Sequence, residues 1–279
     1  MTGNLRIIST NEADEAVLDS SDFLAALPVG NLQLQGRARV ARTSNAAGLK
    51  LIEGEWPNPR VLTACVLQGH NLTSSATWRL QCWSGVGQTG DLTYDSGTQR
   101  ALRRIGWGLF GFGLVPWGST VFTDWERAFS VLWFAAIAAR SWRITLADAG
   151  NPAGYLQAKR LLMGSYFEPA VNAEYGLELT WREDTTQQRT QASTLRSDAG
   201  PQYRRLAGNL SHLDAIERAR FMELCRKVGM RREIFVSVFP GTGSTQERDY
   251  ALLGKFTVMP DGAHGNPASW QNNFTIEES

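Results

Sequence analysis

The chain has 279 residues, 43% of them hydrophobic and 20% charged, and its 28 basic residues nearly balance 27 acidic ones. This composition is typical of a globular protein with one large domain or two ordinary ones. The near-zero net charge argues against a nucleic-acid-binding protein, which needs clustered excess Lys and Arg.

The three cysteines, Cys65, Cys82 and Cys225, are widely spaced. Zinc sites and disulfide frameworks need closely paired or regularly spaced cysteines, so the sequence predicts reduced, buried thiols in a reducing cytosol. The N-terminus lacks the basic and apolar regions of a signal peptide. No membrane span is expected in the uncharged stretch 105–123, because its five glycines and Pro116 disfavour a helix.

Short strand patterns separated by Gly, Asn and Pro turns dominate the first part of the chain. The alternation of Trp78, Leu80 and Cys82 with polar residues is typical of a half-buried strand. Strands are predicted at 5–9, 33–41, 60–67, 76–85, 140–148 and 155–164. This pattern predicts a β-sandwich or jelly roll. The aromatic and Gly-rich segment 101–139 has no clear assignment, and 130–140 fits a buried helix or a strand equally well.

The second part of the chain, residues 176–279, differs in character. One principal helix is predicted at about 212–228, with Ser211 as N-cap and Asp214 at the capping-box spacing. Strands are predicted at 177–184, 190–195, 202–211, 233–239, 250–259 and 271–278. A single helix among these strands predicts a smaller α+β domain with the helix on a sheet.

Catalytic chemistry is not indicated. Ser211, His212 and Asp214 contain the residue types of a triad, but the start of a helix needs Ser and Asp as caps. The glycine-rich loop 241–246 (GTGSTQ) lacks the lysine of a phosphate-binding loop, and a hairpin loop is predicted instead. No paired carboxylates or metal ligands are apparent, so we expect no enzyme activity, cofactor or metal.

The loop 148–154 (DAGNPAG) fits either a ligand site or a corner between strands. Its oxygen ligands are too few for an EF-hand calcium site. Asp148, Asn151, Pro152 and Gly154 are the residue types that a tight turn requires. The sequence therefore favours a corner of the sandwich.

The same region resembles a known family. RSWRITLADAGNPAGYLQAKRLLMG at 140–164, with the following SYFEPAVNAEYG, resembles the closing strands of the galactose-binding-like (discoidin-type) β-sandwich in tail proteins of long-tailed, siphovirus-like bacteriophages. Residues 53–83 resemble the central hairpin of that domain. The second half is similar, more diffusely, to a module that follows the sandwich. The resemblance implies a galactose-binding-like jelly roll at 1–175 and an α+β docking domain at 176–279. The similarity does not extend well over the aromatic and Gly-rich insert at about 101–139.

The resemblance also implies a structural protein of a phage tail tip or baseplate, assembled in the host cytoplasm and carried in the virion tail. Its partners would be hub, tube or distal tail proteins, in an assembly with three or six copies. Trp107, Phe110, Phe112 and Trp117 are then the expected interface between subunits, since so large an apolar stretch needs cover. A carbohydrate-binding module that attaches to a surface glycan is the alternative. A cell-wall hydrolase is the third hypothesis.

Overall fold

The chain forms two compact units in a computed structural model. The structure describes residues 3–36, 38–105, 118–122, 125, 127–266 and 269–279. The sandwich unit comprises 8–166 and 241–248, and the α+β unit comprises 1–7, 167–240 and 249–279. The units are thus interleaved, whereas the sequence suggested one division after residue 175. Composition cannot reveal such interleaving, because it arises from pairing between distant strands.

The expectation of a mainly β protein with some α-helix is confirmed. The strands are β1 (Arg6–Ile8), β2 (Val17–Asp19), β3 (Ala41–Arg42), β4 (Leu49–Gln68), β5 (Thr77–Trp83), β6 (Leu92–Asp95), β7 (Gln99–Arg100), β8 (Phe129–Ala147), β9 (Gln157–Ala158), β10 (Arg160–Gly164), β11 (Tyr166–Phe167), β12 (Glu178–Glu183), β13 (Thr186–Arg189), β14 (Leu195–Asp198), β15 (Gln202–Leu213), β16 (Ile234–Ser237), β17 (Ala251–Asn266) and β18 (Ser269–Glu278). The α-helices are α1 (Ala215–Val228) and α2 (Thr245–Asp249), and two 3-10 helices span Glu12–Glu15 and Val29–Gln33.

Two long antiparallel strands organise the sandwich unit. β4 pairs with β8 from Leu49↔Ala147 to Gln68↔Phe129, with a break in register between Glu55 and Arg60. Pro57 and Pro59 lie in this break, where a residue without an N–H cannot donate to the ladder. The strand order is β10-β4-β8-β5-β6, with β2 also on β4 and β7 also on β5. A break of this kind lets a long strand bend and serve both layers of a sandwich.

One hydrophobic core fills the sandwich unit. Trp56 and Trp142 lie in it with ring centroids 6.2 Å apart. Gly54 permits this packing, because a Cβ there would lie 2.3 Å from the Trp142 ring. The predicted inward face of β5 is confirmed, with Trp78, Leu80 and Cys82 buried. The ambiguous stretch 130–140 is part of β8 and is therefore a strand.

The α+β unit is built on a sheet of order β11-β1-β16-β17-β18-β15-β12. α1 contributes Phe221, Leu224, Cys225 and Val228 to the core of this unit. Burial raises the pKa of the Cys225 thiol to about 11 and that of Cys82 to about 12. All three cysteines are buried and free, as the sequence predicts.

The predicted start of the principal helix is wrong by about one turn. Asp214 is the N-cap: it accepts from the Glu217 backbone N–H at 2.7 Å, while the Glu217 carboxylate accepts from the Asp214 N–H at 3.2 Å. Ser211 and His212 instead belong to β15, which pairs with β18 as far as Leu213. Two overlapping capping-box patterns occur in the sequence, and strand pairing decides between them.

Three further local predictions need correction. Of the strand predicted at 33–41, only Ala41 enters a strand, and a 3-10 helix ends at Gln33. Residues 190–194 form the turn of the β13–β14 hairpin, closed by the Thr190 N–H donating to the Thr194 carbonyl. The loop predicted at 240–249 contains α2. Neither α-helix among the described residues is long and apolar enough to cross a membrane.

Candidate functional site

A cleft of about 50 Å³ opens on the sandwich unit. All of its lining residues belong to that unit. Its lining combines aromatic and charged side chains, which include Phe122, Phe129, Trp133, Arg103, Glu247 and Arg248. This combination of apolar walls and a few polar groups is typical of small-molecule sites in composition, while the volume is well below their usual range of about 300 to 1,000 Å³.

The glycine-rich turn at 241–243 forms one wall and is held by a carboxylate. Gly241 and Gly243 both adopt positive φ, 79° and 61°, which glycine tolerates readily. Their N–H groups donate to Glu247 Oε1 at 2.9 Å and Oε2 at 2.6 Å. Glu247 is buried and lies in α2. The amides that could have bound a phosphate are therefore occupied by the protein's own carboxylate.

Arg103 lies against this turn. A Cβ on Gly243 would be 2.1 Å from Arg103 Cδ, so a larger residue there would displace the arginine side chain from this position. The Arg103 guanidinium donates to the Gly241 carbonyl at a long 3.4 Å. No carboxylate of the described residues forms an ion pair with it, and its side chain is exposed. The cleft thus presents a cation that no carboxylate of the described residues neutralises.

The other charged and aromatic groups form a fixed wall. Arg248 donates to the Val121 carbonyl at 2.7 Å and lies 4.5 Å from the centroid of the Trp125 ring. Phe122 and Phe129 meet edge to face with centroids 5.0 Å apart. Such contacts restrict side-chain rotation, so the cleft is largely pre-organised.

A buried hydrogen-bond chain lies beneath the cleft. The Leu72 N–H donates to His70 Nδ1 at 3.3 Å, which leaves the proton on Nε2. His70 Nε2 then donates to Ser130 Oγ at 2.8 Å, and Ser130 donates to the Ala101 carbonyl at 2.5 Å. Burial lowers the pKa of His70 to about 4, against the opposing pull of the negative charge on Asp148. A neutral imidazole therefore supports the cleft.

The corner loop, residues 148–154, is closed on itself. Asp148 accepts from the Thr73 backbone N–H at 2.8 Å, the Thr73 hydroxyl at 2.7 Å and the Asn151 amide at 2.9 Å. The Asn151 amide also donates to the Asn71 carbonyl at 2.8 Å, and its own carbonyl oxygen accepts from the Ala153 N–H at 3.0 Å. Asp148 and Asn151 are both buried. Their polar atoms hold the corner together and are not presented to a ligand.

The structure separates the residues of the suspected triad. Asp214 caps α1, Ser211 is buried in β15, and the exposed His212 side chain lies 3.9 Å from Glu174. The predicted interface residues Trp107, Phe110, Phe112 and Trp117 lie outside the described residues. Among the residues that the structure does describe, no group of three or more His, Cys, Asp or Glu could hold a metal ion.

Sequence reasoning did not find Arg103, Glu247 or Arg248. A usable signal was present, because the GTG turn is followed four residues later by a glutamate that can reach its amides. The partner on the other side, Arg103, is more than a hundred residues away in the chain, and only the fold brings it to the turn.

Comparison with known proteins gives matches to solved structures only. No protein-family model matches the sequence, and no curated protein does. A chitosan-binding module from a chitosanase/glucanase of Paenibacillus sp. IK-5 is 10% identical over 56% of this chain and 99% of its own, with a TM-score of 0.40.

Two further structures show a similar level of likeness. A family 32 carbohydrate-binding module from Clostridium perfringens, solved with galactose, is 12% identical, with 56% of this chain and 98% of its own covered and a TM-score of 0.38. A GH29 fucosidase from Ruminococcus gnavus, solved with fucose, is 12% identical over 57% of this chain but only 27% of its own, with a TM-score of 0.37.

Proposed function

We propose that the sandwich unit binds a carbohydrate in the cleft beside Arg103 and that the protein acts as a binding protein without catalysis. One observation carries this proposal: aromatic side chains and the Arg103 guanidinium line the same cleft, and Arg103 still has N–H groups that can donate to a ligand. Sugars present apolar C–H faces and hydroxyl acceptors, and a site of this composition matches both.

The state of Glu247 supports binding rather than hydrolysis. Both of its oxygens accept backbone N–H groups of the 241–243 turn. A general acid or base must be free to exchange a proton with the substrate. Glu247 is instead a structural acceptor that shapes the wall of the cleft.

The proposal is tested by screening the full chain on a glycan array and measuring affinity for the hits by isothermal titration calorimetry. Phe122→Ala should weaken binding about tenfold, because it removes an apolar wall worth about 1.4 kcal/mol. Tyr175→Ala is the matched control, because Tyr175 is fully exposed and lies in the other unit. An array without hits would refute the proposal, as would equal losses in both variants.

A structural role in a phage tail tip or baseplate is the second candidate, favoured by one feature of the α+β unit. Every residue of β13 and β14 is exposed, and within the described part of the chain these strands pair with each other and with no further strand. An isolated two-stranded hairpin is marginally stable in water, so a docking partner would stabilise it. This candidate predicts that the protein self-associates or joins neighbouring tail proteins through the β13–β14 hairpin.

Sedimentation velocity on the full chain tests the second candidate. Self-association that disappears when residues 186–198 are replaced by a two-residue Asn-Gly turn would support it, since that turn closes a hairpin without the arm. A monomer at all concentrations, together with no capture of purified tail proteins by the full chain, would count against it.

A further inference from the structure

We propose that the cleft selects anionic sugars and that Arg103 binds their oxyanion. This inference rests on the proposed carbohydrate-binding function and adds the class of ligand. It follows from the charges at the cleft, the number of N–H donors that Arg103 can offer and the way the glycine turn positions this side chain.

The charge balance of the cleft is the first argument. Among the described residues that line the cleft, Glu247 carries the one carboxylate and Arg103 and Arg248 carry guanidinium groups, of which Arg248 has partners of its own in the fold. The Glu247 oxygens are turned to the amides of Gly241 and Gly243, and no ion pair joins Glu247 to Arg103 among the described residues. A neutral sugar would leave the positive charge of Arg103 uncompensated, whereas an anionic sugar would neutralise it.

The donors of Arg103 are the second argument. A guanidinium has five N–H donors in a planar fork. Within the described residues, the Gly241 carbonyl is the single acceptor that Arg103 contacts. The fork matches the two oxygens of a carboxylate and gives paired, charge-assisted hydrogen bonds that a hydroxyl cannot reproduce.

The position of Arg103 is the third argument. Its side chain lies where a Cβ of residue 243 would be, 2.1 Å from Cδ and 2.4 Å from Nη1. Gly243 is held in place by the Glu247 carboxylate at 2.6 Å. The turn thus borders the arginine side chain, and the carboxylate that holds the turn forms no ion pair with Arg103.

The ligand chemistry has two sources, a planar carboxylate on an acidic sugar and a tetrahedral sulfate ester. The array therefore needs matched neutral, uronic, sialylated and sulfated glycans. Trigalacturonate and its fully methyl-esterified form share one backbone, and the ester replaces each charged carboxylate by a neutral methyl ester. In calorimetry with the full chain, we expect trigalacturonate to bind about tenfold more tightly, a gain equivalent to one charge-assisted contact.

Three variants assign this preference to Arg103. Arg103→Gln should abolish the difference between the two ligands, and Arg103→Lys should restore part of it, because lysine keeps the charge but lacks the fork. Arg100→Gln is the matched control: Arg100 is also exposed and donates to one carbonyl, that of Ser74 at 3.2 Å, outside the cleft. The tenfold preference should survive in this control.

The outcomes separate the two proposals. Array hits confined to neutral glycans, or equal affinity for the acid and its ester, overturn the anionic preference and leave carbohydrate binding intact. An acid preference that survives Arg103→Gln overturns the role of Arg103. No binding to any glycan refutes both proposals together. Hits restricted to sulfated glycans, lost in Arg103→Gln, support an oxyanion site and identify sulfate as its source.

Discussion

The sandwich unit has two loop regions rich in polar residues, the corner loop 148–154 and the cleft at the 241–243 turn. They differ in how many hydrogen-bond donors and acceptors the fold itself engages. At the corner loop, Asp148 accepts three hydrogen bonds and Asn151 links two backbone segments. At the cleft, both Glu247 oxygens also accept backbone N–H groups, but Arg103 contacts a single carbonyl of the described residues, at 3.4 Å. Polar side chains in a loop thus indicate a ligand site only where some of their donors or acceptors are not already hydrogen-bonded within the protein.

The largest effect is expected from opening the corner. Asp148→Ala removes the acceptor of three donors, one buried and two part-buried, so the free energy of unfolding should fall by about 3 kcal/mol. Urea denaturation measures this change, and the affinity of the cleft for its ligand should stay the same. Asp19→Ala, at an exposed position, is the control and should stay within about 0.5 kcal/mol of the wild type. A similar loss in both variants would contradict the closed corner.

The next effect concerns His70, which lies between the two regions. Its folded pKa of about 4 is below the ordinary 6.5, so the unfolded chain binds the proton more readily. The contribution of the neutral His70 to the free energy of unfolding is therefore fully present above pH 6.5. It is lost as the pH falls from 6.5 to about 4, by up to about 3 kcal/mol in total. Urea denaturation across this pH window should show the slope, and the slope should be reduced in His70→Gln. Parallel profiles in both proteins would disprove the assignment.

A smaller loss is expected from loosening the turn of the cleft. Glu247→Gln keeps one carbonyl acceptor for the amides of Gly241 and Gly243 but removes the charge, and should cost about 1 to 2 kcal/mol in unfolding free energy. Ligand affinity should fall in the same variant, in contrast to Asp148→Ala. If binding is unaffected while stability drops, the turn does not position Arg103.

The smallest effect is expected at Gly154, where the corner needs only backbone freedom. Its φ is 74° and a Cβ there would meet nothing within 4 Å, so Gly154→Ala introduces strain without a clash. A loss of about 1 kcal/mol is expected. Thermal denaturation is sufficient to measure it. Gly30→Ala is the control, because its φ is not in the positive range and a Cβ there also meets nothing.

Local patterns predicted much of the secondary structure. The alternation in β5 and in the second half of β8, the capping and end signals near α1, and the turn residues of the corner all act over a few residues. Errors occurred where two local patterns compete. The N-cap of α1 is Asp214 rather than Ser211, because β15 continues to pair with β18 as far as Leu213, and the residues 211–214 alone do not reveal that pairing.

The sequence by itself determined that this is a mainly β protein with buried free cysteines and a corner at 148–154, because these properties follow from composition, periodicity and turn chemistry. Only the tertiary structure decided where a ligand site can lie. It brings Arg103 to the turn at 241–243, engages both Glu247 oxygens with the amides of that turn, and engages Asp148 in three hydrogen bonds within the corner. The physical reason is that hydrogen-bond satisfaction depends on distant partners, and sequence neighbours do not reveal them.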